Sequence, residues 1–184
     1  RVIEEILPPL IRLQPATKLQ EEYSFVQLRL ACPDRDPVAA LLRLIVRRFT
    51  LESTSEEGFD RLRQGLSDVS ALPLFKKFAG TLAVGENSFF LSYITPQNGS
   101  PVAERIQVLA IVAMLTQLLW QDFPVVLLDK YDRDLTGKTL DELADCLKQF
   151  GEYVQILAAT DRKENRHAYD FATRVEVTTD GLVK

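Results

Sequence analysis

The chain has 184 residues, 46% of them hydrophobic, with 22 basic residues against 26 acidic ones and a formal charge of −4. That length and apolar share suit one domain with a real core, or one lobe of something larger. The charge excludes a broad cationic field for a nucleic-acid backbone to find. The two thiols, Cys32 and Cys146, make neither a metal knuckle nor a disulfide framework, which fits a reducing, intracellular setting, cytoplasmic or nuclear. A start at Arg1, with no initiator Met and no signal-like segment, reads as an excised fragment or a processed piece.

Residues 1–79 are expected to be mainly helical and packed on the same domain as the rest. "RVIEEILPPLIRLQ", "DPVAALLRLIVRRF" and "SEEGFDRLRQGLSDV" space their apolar positions three and four apart, with Asp36-Pro37 as a helix start and Ser53 to Glu57 as a capping cluster. "EYSFVQLRLACP" alternates loosely and reads as a strand. Arg43, Arg47 and Arg48 share a helix face that Arg61 and Arg63 extend. This is a solvated stripe, or the local basic patch through which any DNA contact would have to run.

From Gly80 the pattern changes to α/β. "GTLAVGENSFFLSYI" predicts two short strands around a Gly-Glu-Asn turn, and "TPQNGSP" is a loop. A long apolar helix follows over 101–120, with Trp120 as core. Its apolar run is interrupted by Gln107, Thr116 and Gln117 and is shorter than the ~20 residues a bilayer requires, so no membrane span is expected. "FPVVLLD" and "YVQILAAT" are apolar runs of strand length separated by the amphipathic "TLDELADCLKQF", with Gly151 just past its end, which makes a βαβ unit. "TRVEVTTDGLVK" predicts a terminal strand and hairpin. The fold class is therefore α/β, a layered sheet with flanking helices over 80–184.

The stretch "PVVLLDKYDRDLTGKTLDEL" admits several chemistries. As a P-loop, it would set Lys138 on a phosphate and Thr139 on Mg²⁺, making the chain an NTP-binding enzyme, although Asp132 stands at the first glycine position and Asp134 adds like charge. As a metal site, Asp132-x-Asp134-x-x-Gly137 resembles the acidic motif of the Toprim domain, with Asp129, Asp132 and Asp134 converging on Mg²⁺ and Glu86 as the upstream carboxylate. The plain reading is a capped turn and a helix N-terminus closed by Thr136 or Thr139, with His167 a solvated loop residue.

A further resemblance uses more of the chain. "GSPVAERIQVLAIVAMLTQLLW", "FPVVLLDKYDRDLT", "TLDELADCLKQFG", "YVQILAATDR" and "YDFATRVEVTTDGLVK" follow one another as do the parts of the C-terminal lobe of an ABC-type ATPase head of the SMC and DNA-repair class, over about half the chain. The resemblance implies that Asp129 takes the Walker B place and helps hold Mg²⁺. Lys130 replaces the catalytic glutamate, Asp161 the switch histidine, and Leu135-Thr136 the close of the D-loop. Pro101-Val102-Ala103-Glu104 stands for the signature, in which only Glu104 matches. An ammonium cannot accept the proton of an attacking water, so hydrolysis is not expected. Upstream, Gly80 to Gly85 has the Walker A glycine spacing, but Glu86 stands where the lysine belongs, so that segment reads as a hairpin.

The resemblance implies a non-catalytic, ATPase-like interaction or scaffold domain, a pseudoenzyme in a chromosome-maintenance or DNA-repair assembly. Its partner would be a protein, such as a second ATPase-like head or a complex subunit. No cofactor is expected, and ATP with Mg²⁺ enters only if the P-loop reading holds. Residues 96–105, including Pro101 and Glu104, together with Tyr131 and Arg133, are expected to form the interface, with Tyr and Arg as its anchors.

Overall fold

The structure, a computed structural model, describes residues 10–31, 35–51, 55–92, 101–119 and 125–170. Three parallel strands, β1 (Ile11–Leu13), β5 (Val125–Asp129) and β6 (Gln155–Ala159), form one sheet in the order β1-β5-β6. Its register pairs Ile11 and Leu13 with Val126 and Leu128, and these four side chains are the buried face. Three antiparallel strands, β2 (Glu22–Ser24), β3 (Thr81–Val84) and β4 (Ser88–Ser92), form a second sheet in the order β2-β4-β3. Its buried face pairs Tyr23 with Phe89 and Leu82 with Leu91.

The helices are α1 (Phe25–Leu28), α2 (Pro37–Leu51), α3 (Ser55–Ser70), α4 (Pro73–Phe78), α5 (Pro101–Leu119) and α6 (Lys138–Phe150), with a 3-10 helix over Lys163–Tyr169. Helix α5 packs against α2, α3, α4 and α6. It is apolar all round and long enough, by length and composition, to cross a membrane. Yet 78% of its window Val102–Leu119 is buried inside the fold, which makes it the core helix. The polar side chains along its apolar run bond to backbone: Gln107 donates to the Ala79 carbonyl, Gln117 to that of Tyr153, and Thr116 to that of Ala113.

Several predicted elements are observed. Asp36 opens α2 by accepting the Ala39 N–H at 2.9 Å. The β3–β4 hairpin closes with the Gly85 N–H donating to the Ser88 carbonyl, and Glu86 lies in its turn. Strands β5 and β6 are parallel neighbours joined through α6, as a βαβ unit requires. The chain is α/β, with a three-stranded parallel sheet and helices.

Helices α2, α3 and α4 meet the helical expectation for residues 1–79, and two earlier segments depart from their predicted elements. "RVIEEILPPLIRLQ" does not continue as a helix through Ile11–Leu13, which is strand β1, because Ile-Arg-Leu alternates with period two and Pro8-Pro9 bars a helix interior before it. In "EYSFVQLRLACP" only Glu22–Ser24 is extended. Ser24 Oγ accepts the Gln27 N–H, Gln27 Oε1 accepts the Ser24 N–H, and this capping box turns Phe25–Leu28 helical. The N-terminal part thus supplies a strand to each sheet. Strand β6, an apolar run in the sequence, carries exposed Gln155, Leu157, Ala158 and Ala159. The predicted loop 95–101 (all but Pro101), Trp120, Cys32 and the terminal hairpin lie outside the described residues. Cys146 is free and buried, and burial pushes its thiol up to about 11.

Candidate functional site

The carboxyl ends of β1, β5 and β6 meet at one edge of the parallel sheet, the edge at which open α/β sheets place their ligand crevices. Asp129 ends β5 there. Its Oδ2 accepts from Arg12 Nε at 3.1 Å, from Arg12 Nη2, and from Gln14 Nε2 at 3.2 Å. The Arg12 hydrogen bond, then that of Gln14, hold the Asp129 carboxyl below the usual carboxylate range. Arg12 owes this position to the alternation of β1, in which Ile11 and Leu13 point into the core and Arg12 to the opposite face.

Lys130 follows with φ +52°, and its N–H donates to the Ala159 carbonyl, continuing the β5–β6 ladder for one more bond. The left-handed turn directs its ammonium across the ends of the strands, where Nζ lies 2.8 Å from Asp161 Oδ2. That hydrogen bond holds the Asp161 carboxyl down. Lys130 and Asp161 therefore satisfy each other.

The turn beyond Lys130 is fixed from below. Tyr131 is 2% exposed, and its hydroxyl donates to the Arg105 carbonyl at 2.7 Å. Arg105, near the start of α5, returns two hydrogen bonds from Nη1, to the carbonyls of Tyr131 at 2.7 Å and Arg133 at 2.6 Å. Burial raises the Tyr131 hydroxyl far above its ordinary value, so it stays a donor. Asp132 is also 2% exposed, and its Oδ2 accepts from Thr160 Oγ1 at 2.8 Å and Asn165 Nδ2 at 2.7 Å. Asp134 closes the turn at φ +67°.

Several site expectations change accordingly. Tyr131 is not an interface anchor, because its ring lies in the core and its hydroxyl is committed to the backbone of α5. Asp129, Asp132 and Asp134 do not converge: Asp129 turns to Arg12 and Asp132 turns inward to Thr160 and Asn165, and among the described residues no three of His, Cys, Asp and Glu are gathered as for a metal ion. Glu86 sits in a turn of the other sheet. In the segment 130–140, the N–H groups of Arg133, Leu135, Thr139 and Leu140 all donate to carbonyls within it and so are not turned outward as a phosphate cradle would need. Thr139 Oγ1 accepts the Thr136 N–H and donates to the Thr136 carbonyl, so its hydroxyl closes the α6 entry. Lys138 is exposed at the start of α6.

Glu104 and Arg133 are both exposed, and the Arg105 bond to the Arg133 carbonyl sets the first turn of α5 beside this loop. Pro101 opens α5. His167 is exposed, with Nδ1 2.8 Å from the Glu164 carbonyl. Sequence reasoning missed Arg12, Gln14, Arg105, Thr160 and Asn165. Only Arg105 gave a signal, as a cation inside an otherwise apolar helix that must find acceptors when buried.

Compared with known proteins, the chain matches no family model, no curated protein and no solved structure.

Proposed function

We propose that the chain is a non-catalytic, ATPase-like interaction or scaffold domain of an intracellular chromosome-maintenance or DNA-repair assembly. The observation that carries this reading is the Lys130–Asp161 ion pair. In the resemblance, these two positions need a base on the attacking water and a polar group on the γ-phosphate. Here one is an ammonium and the other a carboxylate, and they neutralise each other across the strand ends. A third required group, Asp129, is already met by the Arg12 guanidinium, which supplies the positive charge that a hydrated Mg²⁺ would otherwise bring. Among the described residues of this edge, Asp129, Asp132 and Asp161 are each engaged by a cation or a hydrogen-bond donor, as in a structural contact.

With hydrolysis lost, the remaining use of this surface is protein binding. Glu104 and Arg133 are exposed and of opposite charge, and Arg105 ties the first turn of α5 to the Arg133 carbonyl. A partner surface with a matching pair, such as another ATPase-like head, fits there; Tyr131 supports the patch from within the core.

Turnover of Mg²⁺-ATP tests the reading. The purified protein is expected to show none above background, and Lys130→Glu alone is expected to restore none, because Arg12 still occupies Asp129. Wild-type hydrolysis that disappears in Asp129→Ala would overturn it.

A further inference from the structure

Beside the Arg12–Asp129 pair, the turn after β1 meets the segment that leads into α2, and the two border a cleft of about 190 Å³ lined by Arg12, Gln14, Ala16, Thr17, Arg35 and Pro37. Its polar side chains are two guanidiniums, a carboxamide and a hydroxyl, with no carboxylate among the six. Arg12 uses Nε and Nη2 on Asp129, an arrangement that leaves Nη1 outside the pair while fixing the plane of the group. Thr17 Oγ1 accepts the Gln14 N–H at 3.0 Å, which leaves its own proton for donation. Pro37 has no N–H of its own to offer, so the donors named here are side chains.

Among the described residues, the carboxylates beside the cleft are already committed. Asp36, next to Arg35, accepts from the Ala39 N–H through Oδ1 and from Gln20 Nε2 through Oδ2, and Asp129 accepts through the oxygen that faces Arg12 and Gln14. The wider charge distribution has the same sign. Residues 10–51 hold seven basic and four acidic residues, whereas residues 52–184 hold fourteen and twenty. The cleft is thus in a cationic part of an acidic chain, at the carboxyl end of a parallel strand.

We propose that this cleft is an anion site that takes the phosphate group of a small soluble molecule. Two guanidiniums at its rim supply the charge-assisted hydrogen bonds that a tetrahedral oxyanion requires, and Thr17 adds a neutral donor. The volume admits a phosphate and part of the group it esterifies. Binding involves no turnover and does not rest on the scaffold reading, so either can fail while the other stands.

Calorimetric titration of the whole chain with sodium pyrophosphate, without Mg²⁺ and at about 0.15 M salt, tests the site. One saturable binding event is expected. Arg35→Ala should weaken it about tenfold or more, the loss of roughly one charge-assisted contact, with an unchanged circular dichroism spectrum. Arg47→Ala, an exposed arginine of α2 outside the cleft, should bind as the wild type does. Absence of saturable binding, or equal losses in the two variants, overturns the proposal. A phosphoserine tripeptide titrated alongside should bind more weakly than pyrophosphate; tighter binding overturns the small-molecule assignment.

Discussion

Lys130 Nζ and Asp161 Oδ2 stand 2.8 Å apart across the carboxyl ends of two parallel strands, where the Lys130 N–H has just added one more ladder bond to the Ala159 carbonyl. Both side chains are about half exposed, so the pair is screened by water and salt and contributes orientation more than stability. Its consequence is directional. A left-handed backbone at Lys130, uncommon for a residue with a side chain, carries the ammonium to the neighbouring strand end.

Charge reversal separates a matched pair from two unrelated surface charges. Lys130→Glu places two carboxylates together and Asp161→Lys two ammoniums, so each single variant should lower the thermal midpoint slightly at low salt. The doubly reversed protein should recover it. Strictly additive midpoints would show that the two side chains do not interact in solution.

The depressed carboxyls define an acid-side dependence. Asp129 and Asp161 bind protons more weakly when folded than when unfolded, where the ordinary value is 3.8. Their contribution is therefore complete above that value and is lost as the pH falls through their lower folded values. Urea midpoints measured from pH 6 downward should fall more steeply below pH ~4 in the wild type than in Asp129→Asn, which has no such proton to take up. Added salt should shrink the difference. Parallel curves for the two proteins would contradict the Arg12–Asp129 bond.

Tyr131 and Arg105 exchange hydrogen bonds inside the core, so the hydroxyl and the ring have separable effects. Tyr131→Phe leaves the Arg105 carbonyl without that donor and should cost about 1–3 kcal/mol. Tyr131→Ala also opens a cavity and should cost about 3–5 kcal/mol. Arg133→Ala, whose side chain is exposed and whose carbonyl still accepts from Arg105, should stay within about 0.5 kcal/mol of the wild type by urea unfolding. A Tyr131→Ala protein as stable as the wild type would return Tyr131 to the surface.

Asp132 distinguishes a structural carboxylate from a metal ligand. Removing it in Asp132→Ala leaves the buried Asn165 amide without this acceptor and the Thr160 hydroxyl without its acceptor, at about 2–4 kcal/mol. The loss should be the same with millimolar Mg²⁺ or with EDTA. Stabilisation by Mg²⁺ that is present in the wild type and absent in the variant would restore the metal reading.

What the sequence by itself determined was the structure written in short-range chemistry. Helices α2 and α3 follow from apolar spacing and an Asp-Pro start, the β3–β4 hairpin from its Gly-Glu-Asn turn, and the β5–α6–β6 unit from two apolar runs around an amphipathic segment, because in each case the deciding residues lie within one or two turns of chain. Strand β1 was missed because three residues carry too little periodicity to outweigh the helix-like spacing around them. The site divided along the same line. That Lys130 cannot act as a base follows from its identity alone, but the fate of the carboxylates does not. Asp129 is met by an arginine 117 positions away, and Asp132 is met by Thr160 and Asn165, 28 and 33 positions away. A cluster of aspartates in sequence is equally a metal site, a phosphate-proximal loop or a braced turn. Only the tertiary structure chooses, by bringing up the donors that use each oxygen and by burying Tyr131 beneath the turn it had been expected to crown.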